Sequence, residues 1–181
     1  MPSENHLYSL TKISIEKADP SDALRISVLL KTAYIQAYAY DGISFEYANF
    51  VTNRFSVEYI EKSIQKKSSL FLVAFNEGNI VGVAEIIYNS LCPIRKTNVV
   101  ELSKLYVHQT FIGKGIGKAL MNAIESELRS MGKAHINLEV YIKNQEAIAF
   151  YEKQGFTIIG SVDCVMEENS YEDLIMNKVL T

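Results

Sequence analysis

Gly113-Lys114-Gly115-Ile116-Gly117-Lys118 stands between a strand-like run and a helix-like run. Before it, Val99-Val100-Glu101-Leu102-Ser103-Lys104-Leu105-Tyr106-Val107 is β-branched and aromatic, as a strand requires. After it, Ile116, Leu120, Ile124, Leu128 and Met131 recur at helical spacing along one face. Three glycines at a spacing of two allow the backbone to turn sharply and to approach an anion with no Cβ in the way. Free N–H groups at the mouth of the helix, with the positive end of its dipole, suit phosphate. The junction therefore reads as a site for a phosphorylated cofactor.

Spacing narrows the cofactor. A Walker loop requires Ser or Thr after its Gly-Lys, and here Ala119 follows Lys118. A dinucleotide fingerprint ends on a third glycine, and that position falls on Lys118 or Leu120, depending on where the motif starts. Both nucleotide readings fail on these residues.

Two blocks carry a resemblance to a known family. Leu105-Tyr106-Val107 followed by Gly113–Leu120 is similar to the acetyl-CoA motif of the Gcn5-related N-acetyltransferases (GNAT), which reads Arg/Gln-x-x-Gly-x-Gly/Ala. Asn144-Gln145-Glu146-Ala147-Ile148-Ala149-Phe150-Tyr151-Glu152-Lys153-Gln154-Gly155-Phe156 resembles the family's Asn-x-x-Ala-x-x-x-Tyr-x-x-x-Gly-Phe signature. The order is the family's order, and the close similarity spans roughly residues 99–160. Ile112 departs from the pattern, which places Arg or Gln there, so binding leans on backbone N–H groups and the two lysines. Met166-Glu167-Glu168-Asn169 and Asp173-Leu174-Ile175-Met176-Asn177-Lys178 look most like bacterial spermidine/spermine-type acetyltransferases.

At 181 residues the chain reads as one domain with room for a substantial core. Nearly half its residues are apolar and its net charge is −3, a globular composition. That balance argues against sequence-independent nucleic-acid binding and favours a cationic substrate. Cys92 and Cys164 are far apart, without redox or zinc spacing, and read as buried or half-buried thiols. His6, His108 and His135 show no metal-ligand spacing, so no metal is expected. No signal peptide or membrane-spanning run is evident, which places the chain in the cytoplasm with no membrane partner.

The pattern along the chain predicts a first strand at 13–15, a helix over 21–39 and an irregular connection over 38–53. A second helix follows at 57–66, then strands at 70–75 and 80–88 around the hairpin signal Asn76-Glu77-Gly78-Asn79. A loop over 89–97 precedes the strand that carries Glu101. Gly132 caps the long helix, a strand covers 136–141, and Asn144 starts a helix that stops at Gly155. Strands at 156–165 and 174–179 complete an α/β (α+β) chain whose mixed sheet is packed by helices on both faces. The resemblance implies a twisted, mostly antiparallel sheet of about six or seven strands, with the cofactor between two splayed central strands.

The resemblance also implies roles. Gly113, Lys114, Gly115, Ile116, Gly117 and Lys118 would hold the pyrophosphate of acetyl-CoA, with Lys153 reaching the adenosine phosphates. Leu105, Tyr106 and Val107 would pair with the pantetheine arm, an N–H near Val107 polarising the thioester carbonyl. Asn144 would hydrogen-bond the pantetheine, Tyr151 would be the general acid towards sulfur, and Glu101 the base through water. Direct attack in a ternary complex needs no Cys or Ser nucleophile.

Acceptor choice is expected in Tyr40, Asp41, Glu46 and Tyr47 and in Glu167, Glu168, Glu172 and Asp173, where carboxylates interleaved with tyrosines suit a polyamine. The alternatives are a peptide N-terminal or lysine acetyltransferase and a non-catalytic acyl-CoA sensor. A homodimer through the C-terminal strands is a family-level expectation.

Overall fold

The hairpin signal closes as written, with Glu77 and Gly78 at φ 50° and 77° making a two-residue turn that matches strand twist. It joins β2 (Ser69–Asn76) to β3 (Asn79–Leu91). The computed structural model describes residues 13–39, 41–166 and 169–180. Around the hairpin lie β1 (Ile13–Lys17), β4 (Asn98–Val107), β5 (His135–Tyr141), β6 (Thr157–Met166) and β7 (Asn169–Val179). They form one seven-stranded sheet in the order β1-β2-β3-β4-β5-β7-β6. The β4–β5 pair is parallel, and every other neighbouring pair is antiparallel.

Helices cover both faces, as expected. Along β2, Phe71 and Val73 point into a cluster with Ile26, Leu30, Val51, Phe55 and Ile60, while Leu72 and Ala74 join the opposite cluster with Leu120, Ile124 and Leu128. This period-2 alternation places α1 (Ala23–Tyr38), α2 (Phe45–Arg54) and α3 (Val57–Ile64) on one face. The helix α4 (Ile116–Ser130) packs on the other, where Ile148 of α5 (Gln145–Lys153) joins the same cluster.

Three expectations are corrected. Residues 45–54 are helical, not irregular: Ser44 caps α2 by accepting from the Tyr47 amide at 3.1 Å, and Val51 packs inward. β3 runs on to Leu91 because Ser90 and Leu91 pair with Val99 and Asn98. β7 begins at Asn169, since its polar start pairs with the end of β6. His6, Tyr40, Glu167 and Glu168 lie outside the described residues.

Candidate functional site

β4 and β5 pair only at Glu101↔Asn137 and Leu102↔Leu138, then part. The cause is visible in the β3–β4 register, where Glu85↔Lys104 is followed by Ile86↔Leu102 and Ser103 is the extra residue of a bulge. A bulge bends its strand and re-aims the backbone. From Ser103 to Val107, the β4 edge that faces away from β3 is left without a strand partner. The gap opens into a cleft of about 790 Å³.

Leu105, Tyr106 and Val107 form one wall of this cleft, and Gly113, Gly115, Ile116, Gly117 and Lys118 form its end. Gly115 is the N-cap of α4 at φ +84°, and no side chain caps the helix. The amides of the first turn therefore have no intrahelical partner and front the cleft. A Cβ on Gly117 would lie 3.2 Å from Phe150 Cζ, so a glycine lets the loop sit against α5. Main-chain amides at the mouth of a 15-residue helix have the geometry and dipole that suit an anion.

The side-chain cations are arranged differently from expectation. Lys118 lines the cleft, whereas Lys114 places its ammonium 5.0 Å over the Phe111 ring and does not line it. Lys153 is exposed and away from the cleft. Lys143 lines it instead, just before the Asn144 cap, a position the sequence reading passed over. Ile112, in the place of the usual Arg or Gln, is exposed at the cleft edge. Asn144 Oδ1 accepts from the Ala147 amide at 3.1 Å, and Asn144 also lines the cleft.

Tyr151 is buried against Phe150 and Phe156, ring centroids 5.3 and 5.6 Å away, and lines the same cleft. Burial first, and Tyr38 second, push its phenol well above the ordinary value. The phenol is therefore held in its protonated form.

A second cavity of about 300 Å³ lies on the α1–α2 face. Tyr34, Tyr47, Phe50, Tyr141 and Tyr171 wall it. Tyr34 stacks on Phe50 at 5.1 Å and meets Phe55 edge-on at 5.4 Å. Three carboxylates, Glu101, Glu139 and Asp173, enter among these rings. Strand alternation puts them there: Ile136, Leu138 and Val140 enter the α4-side core, which sends Glu139 and Tyr141 to the opposite face.

The two cavities share Tyr38, Leu102, Ser103, Lys104, Tyr106 and Glu139. Glu139 is thus the carboxylate on the common wall. Burial, then Glu101 and Asp173, raise its pKa. Glu101 accepts a hydrogen bond from the Ser90 hydroxyl and lines only the smaller cavity. Lys104, also on the common wall, is paired with Glu85, and both side chains are buried.

Of the expected acceptor residues, Tyr47 and Asp173 line the smaller cavity, while Asp41 and Glu172 are exposed outside it. Glu46 is buried and structural, accepting from Asn169 Nδ2 at 2.8 Å and from the Tyr171 hydroxyl at 3.1 Å, which ties α2 to β7. Cys92 is buried, whereas Cys164 is exposed and borders the smaller cavity, contrary to the expectation for it. Partial desolvation at the cavity edge, then Asp173 and Glu139, push the Cys164 thiol up although the residue as a whole is exposed, which disfavours the nucleophilic thiolate. Among the described residues, no three of His, Cys, Asp or Glu gather to hold a metal ion, and no helix is long and apolar enough to cross a membrane.

Comparison with known proteins fits this architecture. The acetyltransferase (GNAT) family profile matches residues 37–156. The chain belongs to this family. It is 26% identical over 152 residues to an uncharacterized N-acetyltransferase of Methanocaldococcus jannaschii, covering 84% of this chain and 62% of that relative. It is 29% identical over 147 residues to a spermidine N(1)-acetyltransferase of Thermoplasma acidophilum, covering 78% of this chain and 82% of the relative. Over 69 residues it is 41% identical to the peptidyl-lysine N-acetyltransferase YiaC of Escherichia coli, covering 38% and 42% of the two chains. The crystal structure of a PaiA N-acetyltransferase from Thermoplasma acidophilum in complex with coenzyme A superposes with a TM-score of 0.76 at 25% identity, over 93% of this chain and 99% of that one.

Proposed function

We propose that this GNAT acetyltransferase moves the acetyl group of acetyl-CoA to a primary amine of a small cationic acceptor, with a polyamine as first choice. One observation carries the reading: an anion cradle with a protonated tyrosine and a carboxylate-lined aromatic cavity meet along a single wall.

The α4 amides and Lys118 take the pyrophosphate, and Lys143 adds charge at the same cleft. The unpaired edge of β4 from Ser103 to Val107 receives the pantetheine amides as a further strand would. An N–H on this edge polarises the thioester carbonyl. Glu139, at the junction, accepts a proton from the acceptor ammonium directly or through water. The amine nitrogen then attacks the carbonyl carbon, and the C–S bond breaks as Tyr151 delivers a proton to the departing sulfur. The second nitrogen proton of the adduct returns through water to the Tyr151 oxygen, leaving neutral amide, CoA thiol and one proton on Glu139 for release to solvent. In this assignment Glu101 gives up the base role because it lines only the acceptor side and is engaged by Ser90.

The acceptor cavity favours a small molecule over a peptide. Its roughly 300 Å³ is walled by residues of α1, α2, β5 and β7, with Glu46 tying α2 to β7. The test is a panel of spermidine, spermine, small monoamines and lysine peptides, scored by release of the CoA thiol, with acetyl-CoA affinity measured by calorimetry. Polyamine turnover supports the reading. Turnover of a peptide with spermidine and spermine unmodified overturns the acceptor choice, and absence of heat with both acetyl-CoA and CoA overturns the cofactor site.

A further inference from the structure

Two carboxylates in the acceptor cavity have different surroundings. Glu139 belongs to the wall shared with the cofactor cleft, whereas Asp173 lines the acceptor cavity alone. In the β5–β7 ladder Glu139 pairs with Ile175, and Tyr141 pairs with Asp173. Glu139 and Asp173 are thus diagonal neighbours on one face of the sheet, with Cα atoms about 7–8 Å apart for such a pair. A diamine with a short alkyl spacer can present one nitrogen to each.

Among the described residues, no salt bridge reaches Asp173. It is half-buried, pairs with Tyr141 and Val162 across the sheet, and shares the cavity with Tyr34, Cys164 and Glu139, none of them positive. The two cations lining the same cavity are engaged elsewhere. The Lys104 ammonium is paired with Glu85, and the Arg54 guanidinium lies 4.7 Å over the Tyr59 ring. Burial accordingly raises the Asp173 pKa. Tyr34, Tyr141 and Tyr171 surround the cavity with aromatic faces, which attract a cation and not an anion. The missing partner is therefore a positive charge that remains after the reacting nitrogen has lost its proton to Glu139. A monoamine has no such charge.

We infer that Asp173 is a specificity-determining residue that reads a second positive charge on the acceptor, so that diamines and longer polyamines are selected over monoamines. This rests on the function proposed above and adds the residue that sets acceptor choice within it.

Putrescine and n-butylamine differ by one nitrogen and isolate the effect. Their kcat/KM values, followed by CoA thiol release, give a diamine-to-monoamine ratio for the wild type, Asp173→Asn and Asp173→Glu. The wild-type ratio is expected to exceed about tenfold, the scale of one charge-assisted hydrogen bond. Asp173→Asn should lower the ratio by about tenfold, mostly through KM for putrescine, and Asp173→Glu should retain most of it. Raising ionic strength should compress the wild-type ratio, a readout that needs no variant to fold. A ratio unmoved by Asp173→Asn, or by salt in the wild type, overturns the inference. Equal use of both amines by the wild type sinks the inference while leaving acetyl transfer to small amines intact. Turnover of neither amine, with CoA still bound, takes down both.

Discussion

Replacing Lys104 by methionine strips the partner from a carboxylate that has no access to water. The side chains of Lys104 and Glu85 are 4% and 5% exposed, facing each other across the β3–β4 ladder beside the bulge at Ser103. Burial pulls the Lys104 pKa down, and Glu85 opposes that pull. Leaving Glu85 alone in that position costs about 3–5 kcal/mol, as measured where one partner of a buried pair is removed. For a chain of this length each kcal/mol moves the melting temperature by about 2–4 °C, so Lys104→Met should melt roughly 6–20 °C lower. In urea, with a slope of about 2 kcal/mol/M, the midpoint should fall by roughly 1.5–2.5 M while the slope holds. The double variant Lys104→Met/Glu85→Leu removes both charges and should return to within about 1 kcal/mol of the wild type, or exceed it. A loss below about 1 kcal/mol in the single variant, or a double variant as unstable as the two singles summed, would mean that Glu85 does not depend on Lys104 for its burial.

Tyr151→Phe should lower kcat by about a hundredfold or more, the range of a lost general acid, while acetyl-CoA affinity measured by calorimetry stays within about twofold. A non-catalytic sensor would have no turnover to lose. The acid limb of kcat/KM should fall above the ordinary glutamate value of 4.5, because burial and its two carboxylate neighbours raise Glu139, and Glu139→Gln should abolish that limb. The sign for stability runs the other way. A carboxyl whose folded pKa is raised binds protons more readily in the folded state, so it weakens the fold as pH rises through the folded value. Glu139→Gln should therefore melt higher at neutral pH, with the gain vanishing on acidification. Gly117→Val pushes a branched side chain into the Phe150 ring, where even a Cβ lies at 3.2 Å, and should weaken CoA binding at least tenfold in calorimetry.

What the sequence revealed was local chemistry. The glycine loop, the Asn76–Asn79 turn and the Asn144 cap each carry their signal within a few residues, and the structure places each where it was read. The helix α2 escaped because Tyr47, Asn49 and Asn53, with Asp41 and Gly42 just ahead of it, resemble a connection, and it is held in place by burial of Val51 and by the Glu46 ties to β7. Its one local sign was Ser44 ahead of Glu46. Glu139 was hidden for a different reason. Alternation along β5 fixes which face it occupies, but only the parallel register with β4 and the bulge at Ser103 reveal that this face adjoins the larger cleft. Lys153, set at the adenosine phosphates by resemblance alone, is exposed at the end of α5 and does not line the cleft.

The two-residue contact between β4 and β5 has a mechanical consequence. Four strands lie on one side of that seam and three on the other, stitched by Glu101↔Asn137 and Leu102↔Leu138. A donor laid along the open stretch would supply the missing rungs, making the cosubstrate part of the sheet while it is bound. Amide exchange at Ser103–Val107 should then slow on loading far more than at β2–β3, and melting should climb with donor concentration by mass action. The same short seam would then be stiffest with donor in place and most yielding once the thiol had left.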